Sequence, residues 1–199
     1  MEVVLVRHGE TEWSRDGRHT GVTDIPLTDK GRHQAELLRD ALAGRDFELV
    51  LTSPLERARE TCRLAGLGDQ AETTTALLEW DYGEYEGLTT KKIRESRPGW
   101  YLWRDGCPGG ETAADVGARV DPVLERLASL DGDAALFAHG HVLRVLTARW
   151  IRLRPESGAL FALETATLST LGFERETHVI RRWNAPVAFA PSESRASPS

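Results

Sequence analysis

Glu2-Val3-Val4-Leu5-Val6-Arg7-His8-Gly9-Glu10-Thr11 is the stretch whose reading decides the architecture. A short β-branched apolar run meets polar residues at Arg7, which predicts a buried first strand that ends where reactive side chains begin. Buried strands of this kind belong to parallel sheets packed between helices. The segments that follow agree. Thr28 to about Ala43 reads as a helix with Thr28 as N-cap and Gly44 as its stop. Phe47 to Thr52 is a second strand. Ser53 is expected to cap a helix that has Pro54 in its first turn and runs to about Ala65. Thr112 to Leu130 reads as another helix, closed by the turn Asp131-Gly132-Asp133. Ala134 to Ala138 is a third apolar strand, and Val142 to Ile151 a further helix.

Strands alternating with helices predict an α/β fold with a largely parallel sheet covered on both faces. Thr165 to Phe173 and Thr177 to Trp183 differ: two strands joined by a polar turn, hence a C-terminal hairpin. From Pro186 the chain is rich in Pro, Ser and Ala. Residues 1–185 are therefore expected to form one domain, with a disordered tail over 186–199. A length of 199 residues suits a single sizeable core.

Net charge is -6, from 25 basic and 31 acidic residues. A general nucleic-acid binder would carry a basic excess, so nucleic acid is not the expected partner. An anionic small molecule remains open, because a few convergent arginines can dominate one pocket. No apolar run approaches the roughly 20 residues that cross a bilayer, and Met1 to Val6 is too short for a secretory leader. No membrane partner is expected. Cys62 and Cys107 make neither a disulfide framework nor a zinc spacing, so a reducing cytoplasm is the expected compartment.

Arg7-His8-Gly9 stands at the carboxyl end of the first strand, where open parallel sheets bind ligands. A neutral imidazole at His8 is a competent nucleophile towards phosphorus. Arg7 offers a fork of donors for phosphate oxygens, and Gly9 would let backbone approach a ligand. Alone, the tripeptide is as compatible with a strand-end pair making local hydrogen bonds. Ala138-His139-Gly140-His141 repeats the pattern after another apolar strand. His139 is expected to donate to a phosphate oxygen, helped by the positive end of the helix that follows. His139 and His141 as a metal pair lack carboxylate or thiolate company nearby, so no metal and no cofactor is expected.

Arg57 and Thr61 fall on one helix face four residues apart, near the end of the second strand. Arg57 could complete a cluster of cationic donors. Between Leu77 and Gly87, the carboxyl groups of Glu79, Asp81, Glu84 and Glu86 are all candidates to protonate a leaving oxygen. Spacing does not choose among them. A cysteine-dependent phosphatase is set aside, because six residues after Cys62 and Cys107 stand Gly68 and Ala113 rather than arginine. A P-loop is excluded because the chain has no Gly-Lys pair. His33 and His178 read as surface histidines, while His19, beside Arg18 and Thr20, is a lesser candidate for substrate contact. Trp100, Tyr101 and Trp103 could roof a pocket or pack the segment onto the sheet.

Taken in order, Arg7-His8-Gly9-Glu10-Thr11, Gly21-Val22-Thr23-Asp24-Ile25-Pro26-Leu27-Thr28, Ser53-Pro54-Leu55 with Arg57-Ala58 and Thr61, Glu79 with Gly83 and Glu86-Gly87, and Ala138-His139-Gly140 resemble the histidine phosphatase superfamily. That is the phosphoglycerate mutase-like fold, and the likeness covers roughly residues 2 to 183. It implies a three-layer αβα sandwich. It implies His8 as the phosphorylated nucleophile, Arg7, Arg57 and His139 as the phosphate pocket, and Thr20 and Gly21 as its lining. Tyr82 and Gly140 are expected as further substrate contacts. It also places the proton donor at Glu79, kept protonated by a water-poor pocket. Guanidinium and imidazolium groups would then do what a metal ion does elsewhere.

A narrower set resembles the branch containing mycobacterial acid phosphatases and the fungal sedoheptulose bisphosphatase: Thr11-Glu12-Trp13-Ser14, Glu79-Trp80-Asp81-Tyr82-Gly83, Tyr85-Glu86-Gly87-Leu88-Thr89 and Trp103-Arg104-Asp105-Gly106-Cys107-Pro108. Ser14 stands where many members of the superfamily carry asparagine. The span from Glu79 to His139 is shorter than in mutases of this kind, which favours hydrolysis. The expectation is a metal-independent phosphomonoesterase acting on a small-molecule phosphate monoester, with sugar phosphates and bisphosphates among the candidates. A phosphoglycerate-type mutase and a non-catalytic phosphate-binding module are the alternatives, and a homodimer is left open.

Overall fold

The computed structural model describes residues 1–187. The chain runs β1 (Val3–Arg7), α1 (Glu12–Arg15), α2 (Asp29–Leu42), β2 (Phe47–Thr52), α3 (Glu56–Leu64), β3 (Ala71–Thr73), α4 (Thr90–Ser96), α5 (Leu102–Asp105), α6 (Ala113–Ala128), β4 (Asp133–Ala138), α7 (Gly140–Trp150), β5 (Thr167–Glu174) and β6 (Thr177–Pro186). The strands make one sheet in the order β3-β2-β4-β1-β5-β6. Its first four strands are mutually parallel, while β5 runs antiparallel to β1 and β6 antiparallel to β5. The mostly parallel sheet and the terminal hairpin are as predicted.

Two-residue alternation divides β1 between two cores. Val3 and Leu5 join Leu49, Leu51 and Leu136 against Val116 and Val120 of α6 and Val142 and Leu146 of α7. Val4 and Val6 join Val50 and Phe137 against Leu38 and Leu42 of α2 and Cys62 of α3. Helices thus cover both faces, which gives the three-layer αβα sandwich. Along α2 the buried residues are Gly31, Ala35, Leu38 and Leu42, the three- and four-residue spacing of one helical stripe. Thr28 caps that helix by accepting from the Gly31 N–H, and Gly44 follows its end with φ +73°. Both boundaries match the reading of the sequence.

The start of α3 does not. The helix begins at Glu56, after Pro54 rather than around it, and its N-cap residue Leu55 has no side-chain oxygen. Asp24 supplies the cap from the far side of the chain: its Oδ1 and Oδ2 accept from the Glu56 N–H at 3.0 and 2.9 Å. Ser53 Oγ instead accepts from the Leu55 N–H at 3.3 Å, just ahead of the helix. His178 is a second correction. Its ring lies between Trp150 and Phe173, with centroids 4.4 and 4.7 Å away, rather than out in solvent. Of the predicted tail, Pro186 closes β6, and residues 188–199 lie outside the described residues. Among the described residues no helix is long and apolar enough to cross a membrane.

Candidate active site

β1 and β4 are neighbours with Arg7 opposite Ala138, so the next residue of each, His8 and His139, leaves the sheet side by side. The ladder continues one step further through the His8 N–H, which donates to the Ala138 carbonyl at 3.0 Å. The two ring centroids are 5.2 Å apart and tilted by 60°. Gly9 packs against α2 rather than opening towards a ligand. A Cβ there would stand 2.3 Å from the Gly31 carbonyl oxygen. Its N–H is held by Thr61 Oγ1 at 3.1 Å.

The two imidazoles are wired differently. His8 Nδ1 is 2.7 Å from the Gly9 carbonyl oxygen. A carbonyl only accepts, so Nδ1 carries the proton and Nε2 keeps its lone pair. Burial, followed by the positive charges of Arg57 and Arg7, holds the pKa of His8 well below its ordinary value, so the ring is neutral. At His139, Nδ1 accepts from Arg57 Nε at 3.1 Å. The proton therefore sits on Nε2, which donates to Ser53 Oγ at 2.7 Å. Burial and then Arg57 keep this ring neutral too. The expected imidazolium at His139 is not what the hydrogen bonds describe, and the ring has no nitrogen left for a phosphate.

Arg57 is wholly buried and also lies behind the pocket. Nη1 donates to the Thr23 carbonyl at 2.9 Å, and Nη2 to those of Thr20 and Gly21 at 3.2 and 2.8 Å. From the other side, Glu86 accepts from the N–H of Gly21 at 2.9 Å and of Thr23 at 3.1 Å. The loop carrying Thr20 to Asp24 is thus clamped by one cation and one anion. Gly21, expected in the lining, has its polar backbone groups spent in this clamp.

The pocket is a cavity of about 190 Å³ whose lining includes Arg7, His8, Thr20, Glu79, Tyr82 and Gly140, with His19, His141 and Arg144 beside them. Arg57, His139 and Gly21 are not part of that lining. Arg7 lies flat on Gly140, where a Cβ would sit 3.4 Å from its Cζ and Nε. Its Nη1 donates to the Leu163 carbonyl, but its buried Nε has no partner among the described residues. The guanidinium as a whole lines the cavity, where its charge suits an anion.

Glu79 lines the same cavity. Oε1 accepts from the N–H of Trp80 and of Val142, both at 2.9 Å, and Oε2 from the His141 N–H at 2.9 Å. The carboxyl group therefore caps the N-terminus of α7, the place where the sequence led us to expect a phosphate. The expected water-poor pocket is not what holds this group: three backbone N–H donors do, and they suit a carboxylate. Oε2, with one donor against two for Oε1, is the oxygen with room for a proton.

Tyr82 does not offer its hydroxyl to the pocket. It is 2% exposed, and its oxygen lies 2.6 Å from His141 Nδ1. Arg144 stacks over Trp103 at 4.6 Å and donates through Nε to the Gly158 carbonyl at 3.0 Å. Burial lowers His19 to a pKa of about 4. Ser14 spends its hydroxyl on Thr11, accepting from the Thr11 N–H and donating to its carbonyl, both at 2.9 Å. Trp100 and Trp103 are core residues, while Tyr101 is exposed. His141 and Arg144 are the site residues that the reading of the sequence missed. The signal for Arg144 was present, since Gly140 and Arg144 share one face of α7 at a spacing of four. Among the described residues no group of three or more His, Cys, Asp or Glu stands close enough to hold a metal ion.

A neutral imidazole with an open lone pair, a guanidinium and a buried carboxyl group share one small cavity. That combination defines an enzyme that passes an anionic group through a nucleophilic imidazole. Comparison with known proteins narrows the class. A model of the histidine phosphatase superfamily (branch 1) matches residues 3–186. An acid phosphatase of Mycobacterium tuberculosis is 46% identical over 86% of this chain and 86% of its own length. The sedoheptulose 1,7-bisphosphatase of Saccharomyces cerevisiae is 35% identical over 75% of this chain and 67% of its own. Among solved structures, an open reading frame of M. tuberculosis superposes with a TM-score of 0.89 at 42% identity, covering 94% of this chain and 98% of that one. The chain belongs to the histidine phosphatase superfamily. Its activity is that of a phosphatase.

Proposed function

We propose that this phosphatase hydrolyses a small sugar phosphate or sugar bisphosphate through a phosphohistidine at His8, in the cytoplasm. The observation that carries the assignment of His8 is the free lone pair on its Nε2, set by the Nδ1 bond to Gly9. Its neighbour His139 has no such lone pair. The substrate class draws support from the yeast relative, whose name specifies a sugar bisphosphate. The compartment draws support from Cys62 and Cys107, which are free and buried.

In this reading the phosphoryl oxygens meet the guanidinium of Arg7, which lines the cavity. Nε2 of His8 attacks phosphorus, so an N–P bond forms while the ester P–O bond breaks. Glu79 enters this step with a proton on Oε2 and passes it to the departing alkoxide. A water then adds its oxygen to phosphorus, the N–P bond breaks, and Glu79 takes the proton that the water releases. Stabilising charge on the equatorial oxygens is the main requirement of phosphoryl transfer. Arg57 and His139 serve from behind: the cation fixes the ring, and the ring fixes Ser53.

Mixing the enzyme with a phosphorus-labelled monoester and quenching in base tests the scheme. Label should remain on His8 through base and leave in acid. Label on any other residue, or none within the first turnover, sinks the assignment. Following the same label at steady state separates hydrolysis, which frees it as inorganic phosphate, from mutase chemistry, which returns it to the organic acid.

A further inference from the structure

The pair Tyr82–His141 is the part of the cavity wall that the reaction above does not use. Tyr82 Oη has a single partner, His141 Nδ1, at 2.6 Å, and the phenol is fully buried. If Nδ1 carried the proton, the buried phenol would have nowhere to send its own. The arrangement that satisfies both groups has the phenol donating to Nδ1. Burial supports it, since it pushes the Tyr82 pKa well above its ordinary value and so keeps the phenol protonated. The imidazole is likewise held neutral by burial and by Arg144. The remaining ring proton of His141 is then on Nε2, for which no described residue acts as acceptor, on a side chain 22% exposed to the cavity.

Position says what that donor faces. His141 Nδ1 is 3.8 Å from Glu79 Oε2, the oxygen assigned to the leaving group. Nε2, the ring's other nitrogen, belongs to the same cavity-lining side chain. We propose that His141 is a substrate-binding residue whose Nε2–H hydrogen-bonds a hydroxyl on the carbon next to the ester carbon, and that Tyr82 is the positioning residue that locks its tautomer. The proposal deepens the phosphatase reading and rests on it: it makes the enzyme selective for polyol phosphates over simple alkyl phosphates. Tyr82, expected from the sequence as a substrate contact, acts through His141 instead.

The test compares kcat/KM for glycerol 1-phosphate and for propyl phosphate, which lacks the neighbouring hydroxyl. The unmodified enzyme should favour glycerol phosphate by about tenfold, the scale of one hydrogen bond. His141→Phe should lower both rates and bring the ratio close to one. His141→Gln, which can still donate, should keep part of the preference. Tyr82→Phe, which leaves the imidazole free to change tautomer, should lower the ratio by a smaller factor of about three. A ratio unmoved in His141→Phe and Tyr82→Phe while both rates fall would mean that the pair is structural, and would overturn the proposal. So would an unmodified enzyme that cleaves both esters with no preference. Absence of phosphate release from any monoester, aryl phosphates included, would instead overturn the phosphatase reading itself.

Discussion

The ends of β1 and β4 have the same local sequence, an apolar strand followed by His and Gly, and they are neighbours in the sheet. Yet His8 has one ring nitrogen bonded to backbone and one open to the cavity, whereas His139 has both nitrogens bonded to side chains. The wiring of His8 is local, to the Gly9 carbonyl, whereas the wiring of His139 is not. It comes from α3, whose Arg57 reaches His139, and from Ser53, which waits beside its other nitrogen. A catalytic pattern repeated along a chain thus marks where a site is, while the partners brought in by the fold decide which copy reacts.

The most direct way to break this contrast is to remove each ring in turn. His8→Ala should lower kcat on any phosphate ester by roughly 10⁴-fold or more, as loss of a nucleophile does. His139→Gln should slow turnover less and leave the phosphoryl label on His8. It should also lower Tm, because Arg57 Nε loses its acceptor in a fully buried site. Label that disappears from the His139 variant but persists in the His8 variant would reverse the roles of the two strand ends.

Glu79 extends the comparison, since it occupies the N-terminus of the helix that follows β4. Glu79→Gln should cost about 10² to 10⁴-fold in kcat on an alkyl phosphate, the usual worth of general acid catalysis. The loss on nitrophenyl phosphate, whose leaving group needs no proton, should be much smaller. The amide also turns one acceptor into a donor facing backbone N–H groups, so Tm should fall alongside. Equal losses on both substrates would remove Glu79 from the acid role and leave it only as a cap.

The pH dependence of the two rings follows from their shared neutrality. Burial depresses the pKa of both His8 and His139 well below the ordinary 6.5. Above about pH 6.5 these rings are neutral in the folded and the unfolded chain alike, and folding loses nothing to protonation. As pH falls below that value, the unfolded chain takes up protons that the folded chain refuses, so stability drops towards the folded-state pKa values. The slope is at most about 1.4 kcal/mol per pH unit for each ring. Tm should therefore fall between pH 6.5 and 5, while the rate per folded molecule holds because the His8 lone pair stays free. A tenfold rate loss per pH unit over that range, with Tm constant, would show that His8 titrates like an exposed imidazole.

The sequence made the three central strands and the hairpin legible because their apolar residues are local and periodic. β3 was missed because Ala71-Glu72-Thr73 is a short strand at the sheet edge with little to bury. α4 was missed because Ile93 is its only buried residue. At the site, His8 and Arg7 could be picked out from the residues and Glu79 only through the family resemblance, but their hydrogen bonds could not. Tyr82 and His141 are 59 residues apart, Glu79 and Val142 63, and Arg57 and His139 82. Residue type tells which atoms can donate or accept. Only the fold tells which of them meet.

Asp24 carries the smallest effect, and it reaches the same contrast indirectly. Its carboxylate caps α3 at the Glu56 N–H and stands 3.8 Å from Arg57 Nη1, so it steadies the helix that closes off His139. Asp24→Ala removes an N-cap, which costs about 1 kcal/mol. In a chain of this size that lowers Tm by roughly 2–4 °C. Asp24→Asn keeps an acceptor oxygen and should recover most of the loss. Because the substitution acts on Arg57 and not on His8, kcat should change by less than about threefold, with any loss tracking the fall in stability. A large drop in kcat at unchanged Tm would mean that the setting of His139 depends on Asp24 more tightly than one capped helix allows, and that the closed strand end is as sensitive as the open one.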